Sequence, residues 1–288
     1  VNKTTGKETK LFGKNDINQW IAPTRDIKVH SLYQTSFPYA NKSIVVVNTG
    51  SKIYTIDFKK HALLSEHNFD NGENILETCP ASEAVAYLKD NNLYVTRGLK
   101  VWQLSTDGSR DIVYGQSVHR DEFGIHKGTY WSNDGEKLAF YRMDQSMVTD
   151  YPQVDIPEIG FNHSETQSCI ATAAPDKYPM AGETSHKVTV GVFNLNTGKT
   201  VYLQAGDPTD RYFTNISWSP DSKTIYMFEL NRDQNDCHLV AYNAETGKKQ
   251  CELYHETDEK YVEPQNPIVF LPWDNNSFIM QSRKDGYN

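Results

Sequence analysis

One short pattern recurs along the chain: a tight turn of Pro, Asp, Asn or Gly residues leads into an apolar strand. The clearest copies are residues 131–140 (WSNDGEKLAF) and 218–227 (WSPDSKTIYM). Weaker copies occupy residues 37–46, 79–87 and 272–280. Repetition every ~40–50 residues is typical of propellers and solenoids. The chain is therefore built from copies of one unit, and we expect function to lie where the repeat is broken.

A second repeated element completes each unit. Segments 101–104, 190–195 and 239–242 have the composition of strands, and an Asp-Gly or Thr-Gly turn follows each of them. These pairs supply the positive φ angle that tight hairpins require. Each unit therefore contains four strands in series, which is the composition of one propeller blade.

Two other fold classes compete with this interpretation. The first is an all-helical fold, which the sequence does not support. No window long enough for three helical turns places apolar residues at helical spacing without an intervening Gly or Pro. A β-sandwich is an alternative all-β fold, but it would not repeat the turn so regularly. We predict an all-β fold, namely an incomplete β-propeller of four-stranded blades, with about five blades in this chain.

The composition narrows the range of partners. The chain has 288 residues, a formal net charge of −8 and a mean hydropathy of −0.65. An acidic protein repels nucleic-acid phosphates, so we expect no nucleic-acid partner. No apolar stretch approaches the ~20 residues that a membrane helix requires, so we expect no membrane segment in this chain.

The four cysteines (Cys79, Cys169, Cys237 and Cys251) lack the spacing of a metal site, and the histidines are scattered without ligand spacing. We therefore predict no metal and no cofactor. Cys237 and Cys251 fall on neighbouring strands at unequal distances from the turn between them, so they should not lie opposite each other. A disulfide between them and the redox compartment stay open.

Two segments break the repeat. Residues 143–187 hold four prolines and several acidic residues without clear periodicity, which predicts a long excursion from one blade edge. Long loops in compact domains are usually functional or disordered. Residues 116–128 form a second insertion directly before the repeat that starts at Trp131, and the first half of this insertion has helical-turn character.

The adjacent carboxylates of Asp121 and Glu122, in the second insertion, are the candidate site. The chain has no G-x-S-x-G nucleophile elbow and no phosphate-binding or calcium-binding motif. Two carboxylates that converge on one point would bind a protonated amine through charge-assisted hydrogen bonds. A peptide α-amine, with a pKa near ~7.7–8.0, is such a group. An acidic pair in a solvated loop is the alternative.

Four ordered motifs resemble the propeller domain of the dipeptidyl peptidase IV family: DEFG at 121–124 with the 131–140 repeat, YPMAG at 178–182, NRDQN at 231–235 and RKDGY at 283–287. The resemblance covers nearly the whole chain and is firmest over residues 110–288. It implies that residues 1–288 are part of an N-terminal, eight-bladed β-propeller. The C-terminal α/β-hydrolase domain, with its catalytic Ser, Asp and His, would then lie outside this chain.

The resemblance also implies a function. Members of this family are prolyl-specific serine exopeptidases that remove dipeptides or, in the prolyl tripeptidyl branch, tripeptides. The substrates would be peptides with proline at the penultimate or third position, and Asp121 and Glu122 would hold their N-terminus while the propeller gates access. The chain alone should be inactive. A homodimer and a periplasmic, secreted or cell-surface location in a bacterium are further implications.

The motif departs from the family at the acidic pair. The usual Tyr-Glu-Glu-Glu run is replaced by His119-Arg120-Asp121-Glu122. Arg120, a candidate neighbour of the cleft, could pair with an adjacent carboxylate and turn it away from the amine. His119 and His126 are either substrate neighbours or solvated loop residues.

Two residues of the following repeat are also candidate neighbours of the cleft. Arg142 and Asp144 could reach a substrate, and a salt bridge at a strand edge is the alternative. The run FYRMDQSMV at 140–148 is closer to the tripeptidyl branch, so the length of the released peptide stays open. The alternative function is that of a stand-alone β-propeller used as a protein-binding scaffold.

Overall fold

The structure is a computed structural model that describes residues 4–22, 28–39, 42–69, 73–156, 170–284 and 286. In these residues β-strands form a series of antiparallel sheets that follow one another along the chain. Cys169 lies outside the described residues, and so do Asp285 and Tyr287 of the C-terminal motif.

The first two sheets are four-stranded meanders in which each strand pairs with the next one in sequence. The strands of the first sheet are β1 (Thr35–Ser36), β2 (Ile44–Asn48), β3 (Lys52–Asp57) and β4 (Ala62–Asn68). Those of the second sheet are β5 (Glu73–Thr78), β6 (Val85–Lys89), β7 (Asn92–Arg97) and β8 (Lys100–Gln103).

The third sheet carries both interruptions of the repeat. A two-part antiparallel ribbon extends from it, and the second half of the sheet follows this ribbon. The first strands are β9 (Ile112–Tyr114), β10 (Thr129–Trp131) and β11 (Lys137–Asp144). The ribbon pairs β12 (Asp150–Tyr151) with β15 (Asp176–Lys177) and β13 (Val154–Asp155) with β14 (Thr172–Ala173). The sheet ends with β16 (Lys187–Asn194) and β17 (Lys199–Tyr202).

The fourth sheet is again a four-stranded meander, and a two-stranded fifth sheet follows it. Their strands are β18 (Arg211–Trp218), β19 (Thr224–Asn231), β20 (Asp236–Asn243), β21 (Lys249–Thr257), β22 (Val269–Leu271) and β23 (Asp274–Ile279). The succession of four-stranded antiparallel sheets confirms the predicted propeller blades. The excursion predicted over residues 143–187 corresponds to the ribbon between β11 and β16.

The hydrophobic core lies in layers between successive sheets. Along β6, Val85 and Tyr87 pack toward the first sheet, whereas Ala86 and Leu88 pack toward the third. Since successive side chains of a strand point to opposite faces, a strand that is covered on both faces must be apolar throughout. This burial on both sides explains why the strands of the repeat are continuous apolar runs.

The repeated turns have the same hydrogen bonds in different sheets. Ser132 Oγ donates to Asp134 at 2.6 Å and accepts from the N–H of Lys137 at 2.9 Å. Ser219 Oγ makes the equivalent two bonds at the same distances. The side chain of Asn133 also donates to the carbonyl of Ser219 at 3.0 Å. The turns thus start each apolar strand and connect neighbouring sheets.

The tryptophans of the two clearest repeats pack between sheets, as predicted. Trp131 and Trp218 are only 7% and 8% exposed. The indole N–H of Trp218 donates to the carbonyl of Tyr130 at 2.9 Å and so joins the fourth sheet to the third. Each large ring thus buries most of its apolar surface between neighbouring sheets.

A short helix, α1 (Lys14–Trp20), precedes the sheets. Its first turn is closed by the Asp16 carboxylate, which accepts from the N–H of Gly13 at 2.6 Å. Ile17 is fully buried against the apolar face of the first sheet, including Val45 and Tyr54. Among the described residues no helix has the length and apolar character needed to cross a membrane.

Cys237 and Cys251 lie on β20 and β21 but not opposite each other, as expected. Cys237 faces Glu256 across the ladder, and Cys251 faces Ala241. Both are free thiols, Cys237 buried and Cys251 exposed. Burial raises the pKa of the Cys237 thiol to about 12, so this group stays protonated near neutral pH.

Candidate functional site

The insertion at residues 116–128 leaves and re-enters the third sheet at a single point. β9 and β10 both pair with β11, so they are two halves of one strand. Tyr141 of β11 bonds to both ends of the insertion. Its carbonyl accepts from the N–H of Gly115, and its N–H donates to the carbonyl of Gly128, both at 2.9 Å. A Cβ atom on Gly128 would lie 2.0 Å from the carbonyl oxygen of Gln116. Glycine is therefore required where the ends of the insertion meet.

Three apolar side chains fix the insertion to the core. Val118, Phe123 and Ile125 are 1–2% exposed and pack in the layer between the third and fourth sheets. Residues 120–122, which lie between these contacts, are exposed. The backbone is thus held from both sides while three consecutive polar side chains face solvent.

The backbone between the apolar contacts is left-handed. His119, Arg120 and Asp121 form a 3₁₀ turn with φ of 54°, 57° and 62°, and Phe123 has φ of 57°. Glu122 between them is extended. A left-handed conformation costs an L-residue about 1–2 kcal/mol, and such strain concentrates at functional sites. The predicted helical turn exists, but its hand is opposite to that of ordinary helices.

The side chain of His119 lies on the buried side of this turn and is 2% exposed. The N–H of Phe213 donates to His119 Nε2 at 3.2 Å, so the proton of this imidazole is on Nδ1. Nδ1 then donates to His186 Nε2 at 2.8 Å. The ring of Tyr212 packs edge-on against His119 with centroids 4.9 Å apart. The alternative of a solvated loop residue is therefore wrong for His119, whereas His126 is exposed.

Both histidines beneath the turn are neutral. Burial, reinforced by His186, holds the pKa of His119 well below its ordinary value. Burial, together with the positive charges of Arg232 and Arg120, lowers the pKa of His186 to about 4. Residues 119–122, called the acidic turn from here on, therefore lie over two uncharged imidazoles. These imidazoles do not neutralise the negative charges of Asp121 and Glu122.

Arg120 points toward the ribbon and not toward the adjacent acids. Its guanidinium forms an ion pair with Asp176 of β15, with 2.7 Å between Nη1 and Oδ2. The same group lies 5.1 Å from the ring centroid of Tyr178, a cation–π distance. The ring of Tyr151, on β12, is 6.0 Å from that of Tyr178. These contacts bring the two interruptions of the repeat together.

Asp121 and Glu122 are exposed. Neither carboxylate has a hydrogen bond or an ion pair with any other residue in the described part of the chain. Burial raises the pKa of the Tyr212 phenol, and the negative charge of Glu122 adds to that rise, so Glu122 lies near this ring. The turn offers two adjacent anionic groups beside an aromatic surface.

Arg142 and Asp144 are engaged in contacts with β9 and with residues of the adjoining loops. Arg142 Nε donates to Tyr114 Oη at 2.9 Å, and its Nη2 lies 3.1 Å from the carboxylate of Asp107. Asp144 accepts from the N–H and the hydroxyl of Ser146 at 3.0 and 2.7 Å. These contacts correspond to the salt-bridge alternative for Arg142 and do not join either residue to the acidic turn.

Sequence reasoning missed most of the residues that support the turn. His186, Asp176 and Tyr212 lie on other elements, and no local motif marks them. The glycine of the DEFG motif was an available signal: Gly124 has φ of 69°, and a Cβ atom there would lie 2.1 Å from the carbonyl oxygen of Gln265.

The fold and the acidic turn together define a β-propeller region with a candidate site for a cationic ligand. Residues 39–288 match the family described as the dipeptidyl peptidase IV (DPP IV) N-terminal region. The chain therefore belongs to this family, as the sequence resemblance predicts.

Two similar structures come from bacteria. A Bacteroides ovatus protein described as a dipeptidyl aminopeptidase IV matches with a TM-score of 0.86 and 48% identity. The match covers 99% of this chain and 38% of that one. Dipeptidyl peptidase 4 of Porphyromonas gingivalis shares the fold, with a TM-score of 0.67, 24% identity and coverage of 85% and 34%.

Similar curated sequences come from fungi. A protein described as dipeptidyl-aminopeptidase B from Pyrenophora tritici-repentis is 29% identical to this chain over an alignment of 239 positions. A protein with the same description from Pyrenophora teres is 26% identical over an alignment of 313 positions, gaps included. These alignments cover 76% and 99% of this chain but only 26% and 33% of the relatives. The chain thus spans between a quarter and a third of the length of these relatives.

Proposed function

We propose that this chain is the non-catalytic propeller of a prolyl-specific serine exopeptidase and that Asp121 and Glu122 bind the substrate's α-ammonium group. One observation carries the proposal: two adjacent, exposed carboxylates without a partner in the described residues lie on a strained turn that is anchored in the core. Family membership and relatives described as dipeptidyl aminopeptidases support the peptidase class.

The chemistry of the turn suits a primary ammonium group. An ammonium has three N–H donors, and each carboxylate accepts hydrogen bonds at two oxygens. Charge-assisted bonds of this kind are about twice as strong as bonds between neutral groups. An ammonium that bridges Asp121 and Glu122 would also relieve the repulsion between their neighbouring negative charges.

The arrangement of Arg120 keeps both carboxylates available. A free guanidinium next to Asp121 would compete with the substrate's amine for the same oxygens. Here the guanidinium is bound by Asp176 and Tyr178 on the ribbon. The replacement of an acid by Arg120 in the family's motif is therefore compatible with N-terminal binding.

Anchoring of the turn explains how a binding site would act as a ruler. Val118 and Phe123 fix the backbone on both sides of the acidic pair. If the N-terminus is held at a fixed distance from a nucleophile, only one peptide bond can reach that nucleophile. The distance would decide between release of dipeptides and of tripeptides, which analysis of the products would distinguish.

The proposal assigns catalysis to a part of the enzyme other than residues 1–288. These residues contain no nucleophile elbow, so the chain alone should be inactive. Its partners would be an α/β-hydrolase domain of the same protein, a second copy of that protein, and peptides with proline at the penultimate or third position. The bacterial source of the similar structures supports a periplasmic, secreted or cell-surface location.

Kinetics of the full-length enzyme test the proposal. Glu122→Gln and Asp121→Asn keep the shape of each side chain and remove its charge. Loss of one charge-assisted hydrogen bond costs about 1.5–3 kcal/mol, which corresponds to about 10–150-fold in kcat/KM. We expect this loss with a chromogenic Xaa-Pro substrate that has a free N-terminus, and a much smaller loss with its N-acetylated form.

The matched control is Glu259→Gln, which removes a charge from another exposed glutamate. It should leave kcat/KM for both substrates unchanged. Equal losses for free and acetylated substrates in Glu122→Gln would show that this carboxylate does not bind the N-terminus.

A further inference from the structure

The third and fourth strands of the fourth sheet bring two histidines and two acids together. His238 on β20 lies directly opposite His255 on β21 in the ladder. Their imidazole rings are stacked, with centroids 4.1 Å apart and planes 9° from parallel. Asp236 and Glu252 lie at opposite ends of the His238 ring. This cluster is separate in sequence from the acidic turn and has no part in the proposed binding of the substrate.

Three potential ligand atoms converge in this cluster. Asp236 Oδ1 lies 3.2 Å from His238 Nε2 and 2.7 Å from His255 Nε2. One ligand atom from each of the three residues lies within 4.8 Å of the others. In tetrahedral zinc sites, ligand atoms at the usual ~2.0–2.1 Å from the metal are about 3.3 Å from one another. The distances to Asp236 are therefore close to those of a metal site before any movement.

Glu252 favours the tautomer of His238 that a metal requires. The carboxylate lies 3.2 Å from Nδ1 and needs only a small rotation to align as its hydrogen-bond acceptor, whereas Nε2 faces Asp236. A proton on Nδ1 next to Glu252 leaves the Nε2 lone pair free for a metal, and such outer carboxylates commonly orient metal-binding histidines.

We propose that Asp236, His238 and His255 bind a divalent transition-metal ion of the zinc type, with Glu252 orienting His238. Two imidazole nitrogens and one carboxylate oxygen are ligands that suit Zn²⁺, and three protein ligands leave the fourth position to water. The cluster carries two carboxylates, whose negative charge favours a dication. The cluster is not apparent in the sequence because His238 and His255 are 17 positions apart and only the pairing of β20 with β21 places them opposite each other.

Binding would require only local movement of the two rings and a tautomer change at His255. His255 Nε2 now shares a hydrogen bond with Asp236, so in the metal-bound form the single proton of the neutral imidazole would lie on Nδ1 and the Nε2 lone pair would face the metal. Stacked rings point their lone pairs in parallel, and a modest tilt of each ring would turn both toward one ion. The His238 and His255 side chains are 30% and 48% exposed, which leaves room for the tilt.

A metal at this position would join β20 to β21 across the edge of the sheet. The ladder between these strands contains irregularities at Leu239/Val240 and Ala241/Tyr242. A link at the opposite pair of histidines would hold the register of the edge strand next to these irregularities. The proposed role is structural, and it is independent of catalysis.

Calorimetric titration of the EDTA-treated full-length protein with ZnCl₂ tests the proposal. The wild-type protein should bind one more equivalent of Zn²⁺ than His255→Ala or Asp236→Asn. Glu252→Gln should keep that equivalent with about 10–100-fold weaker affinity, because it loses only the group that orients His238. The control His30→Ala, which removes an exposed histidine elsewhere, should bind Zn²⁺ like the wild type.

Cobalt gives a second readout that does not depend on stability. Co²⁺ bound by two imidazoles and a carboxylate should give a visible absorption band in the wild-type protein that is missing in Asp236→Asn. Zinc stoichiometry that is equal in the wild type, His255→Ala and Asp236→Asn would overturn the proposal. An unchanged cobalt spectrum in Asp236→Asn would overturn it as well.

Discussion

Gly124 is the position at which a single methyl group should disturb the acidic turn most. Its φ is 69°, and a Cβ atom there would lie 2.1 Å from the carbonyl oxygen of Gln265. A left-handed conformation costs an L side chain about 1–2 kcal/mol, and overpacking against a fixed neighbour costs about 1–3 kcal/mol. Gly124→Ala should therefore destabilise the turn by on the order of 2–5 kcal/mol.

Gly182→Ala provides a matched control. Gly182 also has a positive φ, of 79°, but no atom lies within 4 Å of the position its Cβ would take. Only the conformational part of the cost, about 1–2 kcal/mol, applies there, and it applies to a different segment. The difference between the two variants isolates the contact with Gln265.

Amide hydrogen exchange of the full-length protein measures the effect locally. The N–H groups of Asp121, Glu122 and Ile125 donate within the turn at 3.1–3.2 Å. If the turn opens by local unfolding, a loss of 2–5 kcal/mol accelerates exchange of these amides by about 30-fold to 5,000-fold. The same amides in Gly182→Ala should exchange at the wild-type rate. Exchange within threefold of wild type in Gly124→Ala would refute the reasoning.

Two further predictions concern the surroundings of the turn. Asp176→Asn frees the guanidinium of Arg120 to approach Asp121 and compete with the substrate's amine. Because an exposed ion pair contributes about 0.2–1 kcal/mol, KM for peptides with a free N-terminus should rise about 1.5–5-fold in steady-state kinetics. An unchanged KM would contradict this. The buried, neutral His186 binds a proton less readily in the folded state, where its pKa is about 4, than in the unfolded state, where it is about 6.5. Its contribution to the free energy of unfolding is therefore complete above pH 6.5 and falls by on the order of 3 kcal/mol toward pH 4. Thermal unfolding against pH should show this fall, and His186→Leu should reduce it; equal pH dependence in both proteins would contradict the assignment.

The repeated units could be predicted because their information is local. A Ser two residues before an Asp, next to a tight turn, makes the same hydrogen bonds at Ser132 and at Ser219. The apolar strands that follow are covered on both faces, so their composition needs no long-range knowledge to interpret. For the same reason the two interruptions of the repeat stood out in the sequence.

The support of the acidic turn could not be predicted because it depends on distant residues. His119 and His186 are 67 positions apart, and their ring nitrogens come within 2.8 Å only because the insertion and the start of β16 flank the same strand, β11. The pairing of Arg120 with Asp176 depends on how the ribbon folds back. The left-handed turn is a further case, since none of its first three residues is glycine.

The structure of a peptide complex tests the central claim most directly. The full-length protein, with the serine nucleophile of the proposed hydrolase domain replaced by alanine, would be crystallised with a proline-containing peptide that has a free N-terminus. Our account predicts that the α-ammonium nitrogen lies ~2.7–3.2 Å from carboxylate oxygens of both Asp121 and Glu122. A bound peptide whose ammonium is held by other groups, with both carboxylates facing solvent, would contradict it.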